Sequence, residues 1–599
     1  MKTTTLNRLM TIALPLALTA CIASDNEHSA PARVVQTSSG RVAAEPVAEG
    51  ALAYRDIPYA TPPVGPLRWA APEPSDTPER VIQTRATPVM CPQPQSMASG
   101  LDDGEYHGSE DCLYLDIYTP GGSIADSSLP VMVWIHGGSN LTGHKGTYDF
   151  SRFAARQQVV VVVINYRLGP LGWFVHPAIQ GPDLDAEPLA NFGTLDMVGA
   201  LRWTQRNIGY FGGDNGNVTI FGESAGGRNV YSLLASPVTN GLFHKAIAQS
   251  GHIRSFSPAQ AHNANRKFAT VDRGSWEVID ALGLDNGEVD AETIRAIDTT
   301  ALLSAYFELD EDYAQPAIIN DGVVVPRGGI LQGLGNPKLA KNIPVMAGTT
   351  RDEITLWLGL NRYYVDVSYP LTRLLPAKLR IKDPDLYHFW VDVRSRGWKL
   401  SAVDDPFAAM QQAGYSQLYA YRYDWDEQAD NFLVRFSEIL GASHASEIAF
   451  IMGAPMYGAI GEYMYPETAS AREMTDTMMA AWGAFAKSGS PVLPRGLEWP
   501  LYDAARPAFV TLDVGDALGI SDDVPSREEL LDQVASTSVV SELERCLLAW
   551  EMVTAVGDPD YGLYTRWRDG KCANVDAVAE KRRIQNELKS KYGSVYYPE

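Results

Sequence analysis

The stretch NVTIFGESAGGRNVYSLLA, residues 217–235, holds the side chain best placed for covalent chemistry: Ser224, at the centre of G-E-S-A-G. The run N-V-T-I-F reads as a short strand, Gly222 and Gly226 bracket the serine, and V-Y-S-L-L-A follows at helical spacing, so the segment predicts strand, tight turn, helix. A serine on such a turn is held in a strained backbone conformation with its hydroxyl projecting from the sheet edge. Glycines two residues to either side let neighbouring chains approach without a Cβ clash. That geometry suits a nucleophile. G-x-S-x-G alone also arises by chance in glycine-rich chains, so the reading depends on a base, an acid and oxyanion donors elsewhere.

Histidine is the side chain whose ordinary pKa, about 6.5, suits it to take a serine's proton near neutral pH. Ten are present. On an elbow of this kind the chain order is serine, acid, histidine, which leaves His244, His252, His262, His388 and His444. The acid should stand at the end of an intervening strand. Behind IPVMAGTT come Asp352 and Glu353, and behind LYAYRYDW comes the loop GASHASE with His444. His388, in LYHFW, is flanked by aromatics and reads as packing, whereas His444 among Gly, Ala and Ser has room to face a serine. Oxyanion donors are expected from the N–H of Ala225 and from a loop after an early strand. VMVWIHGGSN supplies such a loop, because Gly137 and Gly138 tolerate the dihedrals that turn N–H groups towards a pocket.

Such a set works only on a rigid frame. Apolar, β-rich runs recur at 131–136 (VMVWIH), 159–167 (VVVVVINYR), 217–221, 245–250 (KAIAQS), 343–348 (IPVMAG) and 418–425 (LYAYRYDW). Most are continuous rather than alternating, which marks strands buried on both faces. Helical segments such as 195–208 and 475–488 lie between and after them. The expectation is an α/β chain with a large, mostly parallel central sheet and helices on both faces. Residues from about 255 to 340 and from about 355 to 415 read as helical or irregular insertions capping the C-terminal edge of the sheet, where ligands bind.

The 599 residues, 45% of them apolar, can bury a large core. Forty-nine basic against seventy-two acidic side chains give a net charge of −23, a solubilising surface that argues against nucleic acid as a partner. The opening MKTTTLNRLMTIALPLALTACIAS combines Lys2 and Arg8 with an apolar core too short to span a bilayer. Its L-T-A-C resembles the bacterial lipoprotein box. Residues 1–21 are therefore expected to be an export signal with Cys21 lipidated and the protein tethered in the cell envelope, and residues 22–47 a flexible tether. The other cysteines, Cys91, Cys112, Cys546 and Cys572, are even in number. In an oxidising setting the short loops 91 to 112 and 546 to 572 are favoured over longer pairings. No C-x-x-C, H-E-x-x-H or histidine-rich cluster points to a metal, and no cofactor is expected.

Together these motifs resemble the type-B carboxylesterases, the group that includes cholinesterases and bile-salt-stimulated lipase. The resemblance runs from about residue 48 to about 515 through RDIPYATPPVGPLRW, SEDCLYLDIYTP, the HGG loop, NFGTLDMVGALRWTQRNIGYFGGDNGNVTIFGESAGG, LFHKAIAQSG, TTRDE and WGAFAKSGSPVLPRGLEWPLYD. It implies an α/β-hydrolase domain over 48–517 with helical insertions capping the active site, and an extension, 518–599, packed on or trailing that domain. It also implies hydrolysis of carboxylic esters through an acyl-enzyme. Family roles fall on Ser224 as nucleophile, Glu353 rather than Asp352 as acid, and His444 as base. Gly138, Ser139 and Ala225 become oxyanion donors, supported by Gly137. Ser250, in QSG, matches a serine that hydrogen-bonds near the acid, and Cys91 with Cys112 matches the family's first disulfide, near the site entrance.

The sequence departs from that pattern in several places. Ser139 stands where the family has a third oxyanion glycine, and Asn140 where an aromatic is usual, so a more polar wall is expected, with Asn140 and Tyr313 as substrate-binding residues. The loop between Cys91 and Cys112 has no tryptophan to serve as a cation–π platform, which argues against a choline ester. Arg228 and Arg254 could meet a substrate carboxylate or form ordinary ion pairs. Glu308, Asp310, Glu311 and Asp312 crowd beside Tyr306, Phe307 and Tyr313, either as a solvated loop or as an acidic pocket that would repel an anionic acyl chain. Two other readings remain open: hydrolysis of long-chain acylglycerols, and a binding module that keeps the fold without the chemistry.

Overall fold

The computed structural model describes residues 33–94, 106–184, 188–268, 271, 273–308, 317–369, 377–456, 458–555, 557 and 559–597. Cys21, Asp310, Glu311, Asp312 and Tyr313 lie outside them. The main sheet contains β1 (Glu45–Pro46), β2 (Leu52–Pro58), β3 (Tyr114–Thr119), β4 (Leu129–Ile135), β5 (Val160–Ile164), β6 (Gly213–Glu223), β7 (Lys245–Gln249), β8 (Val345–Thr350), β9 (Leu418–Tyr423), β10 (Phe509–Leu512) and β11 (Gly519–Ser521). Their spatial order is β11-β10-β9-β8-β7-β6-β4-β5-β3-β2-β1. From β5 through β10 neighbours run parallel; β3, β2 and β1 at one edge and β11 at the other are antiparallel.

The continuous apolar runs are explained by two cores. Val131, Val133, Ile135, Val160, Val162 and Ile164 pack on one face of the sheet, whereas Met132, Trp134, Val161, Val163 and Phe221 pack on the other. Because successive side chains of a strand point to opposite faces, a strand covered on both sides must be apolar throughout. Helices α1 (Phe192–Asn207) and α2 (Ala225–Ala235) cover the first face through Met197, Val198, Leu201, Val230 and Leu234. The insertions include the helices α3 (Thr299–Phe307) and α4 (Pro384–Lys399). On the second face lies α5 (Ala469–Ser488), whose Met474, Met478, Ala481, Trp482 and Phe485 recur at helical spacing. Thr468 caps its start by accepting the Ala471 N–H at 3.1 Å, and Gly489, at φ 80°, ends it.

Two regions differ from expectation. Residues 33–47 were expected within a tether, but Val34–Thr37 and Gly40–Ala43 form an antiparallel hairpin and Glu45–Pro46 is β1. The polar composition conceals an alternation that buries Val35, Thr37 and Val42, and Trp203 donates its indole N–H to Ser39 at 2.9 Å. The second insertion includes a two-stranded ribbon, Val365–Ser368 with Lys378–Ile381.

The extension forms an outer helical layer. Here α6 (Glu542–Thr554) packs on α4, with Leu547, Leu548 and Met552 against Tyr387, Trp390 and Val391, and α7 (Ala577–Tyr592) packs on α6. Disulfides join Cys91 to Cys112 and Cys546 to Cys572. No helix of the described residues is long and apolar enough to cross a membrane.

Candidate active site

Ser224 occupies the turn between β6 and α2 at φ 58° and ψ −120°, a conformation that a non-glycine residue keeps only when its surroundings hold it there. Its N–H donates to the Gln249 carbonyl at 2.8 Å, and its carbonyl accepts the Arg228 N–H at 2.9 Å. A Cβ at Gly222 would stand 2.5 Å from the Ile135 carbonyl oxygen, and one at Gly226 would be closer still. Both glycines are required by the approach of β4. Ala225 is the first residue of α2, so its N–H has no place in the helix ladder and is free to meet a ligand.

The loop after β4 backs onto this turn. A Cβ at Gly137 would be 3.2 Å from the Ser224 Cβ. Gly138, Ser139 and Asn140 all have positive φ, at 95°, 58° and 61°. Ser139 thus takes the left-handed conformation that the family's glycine would take, with its side chain exposed. Gly138's carbonyl accepts the Leu141 and Thr142 N–H groups at 2.9 and 3.0 Å, fixing the turn. His136 donates from Nδ1 to the Gly137 carbonyl at 2.9 Å and stacks on Tyr166; burial pushes it down to about 3, so it is neutral.

Asn140, expected in the substrate wall, points the other way. It is fully buried and exchanges amide hydrogen bonds with Asn229 at 3.2 and 2.8 Å, while Tyr166 donates to it at 3.2 Å. Asparagine tolerates the left-handed backbone that the turn imposes, and at that backbone its side chain braces the loop against α2.

His444 meets Glu353, with Nδ1 2.5 Å from Oε2. Glu353 is fully buried and also accepts the Ser250 hydroxyl at 2.5 Å and the Thr350 N–H at 2.8 Å. Asp352 instead pairs with Arg351 at 2.7 Å and accepts the Ala442 N–H at 3.0 Å. On its other edge His444 places Nε2 3.1 Å from Glu223, the residue immediately before Ser224. Of the other candidates, His388 is exposed on α4, His262 is bonded to Ser275 at 2.8 Å, His244 accepts the Val218 N–H at 3.1 Å, and His252 accepts the Arg254 N–H at 3.2 Å with its ring 6.1 Å from that of Trp398.

Four neighbours of the base were not anticipated. Glu447, three residues after His444, accepts from Gln249 at 3.0 Å, and Gln249 is held in turn by Trp482 at 3.1 Å. Burial, with Glu447 and Glu353 nearby, pushes the Glu223 carboxyl up; burial and Glu353 do the same to Glu447. Burial opposes charge on His444, but Glu223 and Glu353 outweigh it and raise the imidazole above its ordinary value. Trp357 and Trp398 lie 5.0 and 5.4 Å from the His444 ring, and Trp398 donates to the Ser250 carbonyl at 3.1 Å. Spacing in G-E-S and H-A-S-E could have suggested the two glutamates; the tryptophans carry no local signal.

The family model for the carboxylesterase family matches residues 31–368 and 403–521. The chain belongs to that family. It is 33% identical over 503 residues to the para-nitrobenzyl esterase of Bacillus subtilis (strain 168), covering 80% of this chain and 95% of that one. It is 31% identical over 536 residues to liver carboxylesterase 1F of Rattus norvegicus, covering 82% and 91%. The Geobacillus stearothermophilus carboxylesterase EST55 structure superposes with a TM-score of 0.63 at 29% identity, covering 82% of this chain and 98% of that one. The fold is that of the α/β-hydrolases, and the protein is a carboxylic ester hydrolase of the serine type that acts on small-molecule esters.

Two outcomes are expected from this geometry. Ser139→Gly keeps the backbone N–H while removing a side chain at the loop, so kcat/KM should rise more for bulky acyl groups than for acetate. A uniform loss across acyl lengths would show that the serine serves the turn itself. Glu223→Gln removes one of the carboxylates that favour imidazolium. The acid limb of the kcat/KM profile should therefore move to lower pH, by roughly one unit; an unmoved limb means Glu223 does not act on the base.

Proposed function

We propose that Ser224, His444 and Glu353 form the catalytic triad and that the N–H groups of Gly138, Ser139 and Ala225 form the oxyanion hole. The observation that carries this reading is His444 bracketed by Glu353 on one nitrogen and by the residue preceding Ser224 on the other. Glu353 orients the imidazole and stabilises it when charged. Ser224 Oγ attacks the ester carbonyl carbon as its proton passes to His444 Nε2, and the carbonyl oxygen becomes an oxyanion held by the N–H groups. Collapse breaks the bond to the alcohol oxygen, which takes the proton from His444. Water then attacks the acyl-enzyme carbonyl as its proton passes to His444, and collapse breaks the bond to Ser224 Oγ, which takes that proton back as the acid leaves.

We further infer that the protein is exported and anchored through a lipid on Cys21. The L-T-A-C pattern supports the anchor, and two disulfides in the folded chain suit an oxidising compartment.

Ser224→Ala should lower kcat by about 10⁶, His444→Ala comparably and Glu353→Gln less, measured with p-nitrophenyl acetate, butyrate and a long-chain ester. Retention of more than a hundredth of the activity by the serine variant sinks the assignment. A rate that climbs with chain length only above the solubility limit would favour a lipase, and no turnover of any ester a binding module. Cys21→Ser should release exported enzyme from the membrane fraction; unlipidated wild-type protein with residues upstream of Cys21 intact rules the anchor out.

A further inference from the structure

Arg228 lies on the first turn of α2, four residues past Ser224, and is only 6% exposed. Among the described residues no ion pair or side-chain hydrogen bond reaches its guanidinium, and its Nε is enclosed without an acceptor. Four other buried cations each face a carboxylate. Lys145 sits 2.6 and 2.7 Å from Asp56 and Asp116, Arg167 2.7 Å from Asp196, Arg394 2.6 Å from Glu551, and Lys399 2.9 Å from Asp404. An unpaired ion held out of water is strongly unfavourable unless something supplies the opposite charge. Burial lowers Arg228 only to about 10, so it keeps its proton at neutral pH.

Its backbone stands against the turn that carries Ser224, whose carbonyl accepts the Arg228 N–H at 2.9 Å. After burial, its ionisable neighbours are Tyr166, Arg254 and Tyr306. Tyr166 donates to the His136 carbonyl at 2.6 Å, beneath the oxyanion loop. Tyr306, on α3, has the Arg273 guanidinium 5.4 Å from its ring. His252 is pushed well below its ordinary value, first by burial and then by Arg228, Arg254 and His444 together, so one imidazole senses both the arginines and the base. The carboxylates Glu223, Glu353 and Glu447 crowd His444 instead. Glu308 is exposed at the end of α3 and bonded to Ser304. The net charge of −23 does not decide the matter, because exposed charges are screened beyond about 8 Å at physiological salt.

We propose that Arg228 is the counter-ion for a carboxylate of the substrate, so that the preferred substrates are esters that themselves carry a carboxylate. Such substrates are half-esters of dicarboxylic acids or acyl esters of hydroxy acids. The proposal rests on Ser224 being the nucleophile and adds the substrate class. It reverses the expectation of an anion-repelling acyl pocket, whose acidic residues 310–312 lie outside the described residues.

The test compares kcat/KM of the full chain on two matched pairs at near-neutral pH, followed by pH-stat: monomethyl succinate with methyl butyrate for an acyl-side carboxylate, and 4-acetoxybenzoate with its methyl ester for an alcohol-side one. In one pair the wild type should favour the anion at least about tenfold, and Arg228→Met should lower that ratio by roughly thirtyfold. Arg228→Lys, which keeps a charge but not the fork, should retain part of the preference. A wild-type ratio at or below one in both pairs overturns the proposal whether or not the Met variant folds. So does a Met variant that slows both members of a pair equally, as a purely structural role would require. Failure of the wild type on all four esters would instead count against the serine-esterase reading.

Discussion

The site depends on how closely the end of β4 can approach the turn that carries Ser224. The Ile135 carbonyl occupies the space that side chains at Gly222 and Gly226 would need, and Gly137 leaves room for Ser224 itself. With three chain segments at backbone contact, the φ of 58° at Ser224 becomes the conformation that fits, and its cost is met by the packing of β4, β6 and α2 into one core. The same approach delivers the loop from His136 to Asn140 to Ser224. Asn140 then ties that loop to Asn229, so the N–H groups of the loop and of α2 belong to one rigid body.

Around the base the balance is electrostatic. Glu223, Glu353 and Glu447 are all buried, and three ionised carboxylates in so small a volume would repel one another strongly. Burial raises Glu223 and Glu447, which makes a shared proton cheaper to hold, while the imidazole is raised by the same groups. The hydrogen bonds from Ser250 and Thr350 fix the position of the Glu353 carboxyl group, and so hold it against Nδ1 of His444.

Much of this was legible before any coordinates. VVVVV at 159–163 must be buried on both faces, and the glycine pattern around Ser224 demands a turn; both are local consequences of side-chain type. The chain order of serine, acid and histidine then narrowed the set to residues the fold brings together. What was hidden depends on contacts across the sequence. Asn140 looked like a wall residue because its rotation inward is set by Asn229 and Tyr166, which are remote in the chain. Glu223 adjoins Ser224 in the sequence, but its approach to His444, 221 positions away, is made by the fold. The hairpin at 34–43 was masked by polar residues, and the sequence left Arg228 open between a substrate carboxylate and an ordinary ion pair, because the lack of a carboxylate partner among the described residues is a property of the packed structure alone.

The outer layer of helices reaches this chemistry through α4. Its last turn carries Trp398, which touches His444 and donates to the Ser250 carbonyl. Its middle carries Trp390 and Arg394, which face α6. Arg394 and Lys581, from α4 and α7, close on Glu551 of α6 at 2.6 and 2.5 Å, and although burial opposes it, these two cations hold that carboxyl low. A partly buried triad of this kind contributes less to stability than to register, because any slip of one helix leaves a charge unpaired. A cavity of about 320 Å³ lies between these helices, with Trp357 and Trp398 forming its inner wall and Leu547 and Leu588 its outer one. Those same two tryptophans flank the His444 ring. The position of the wall beside the base is thus set jointly by the sheet, through the Ser250 carbonyl, and by residues beyond the end of the family match, through α6 and α7.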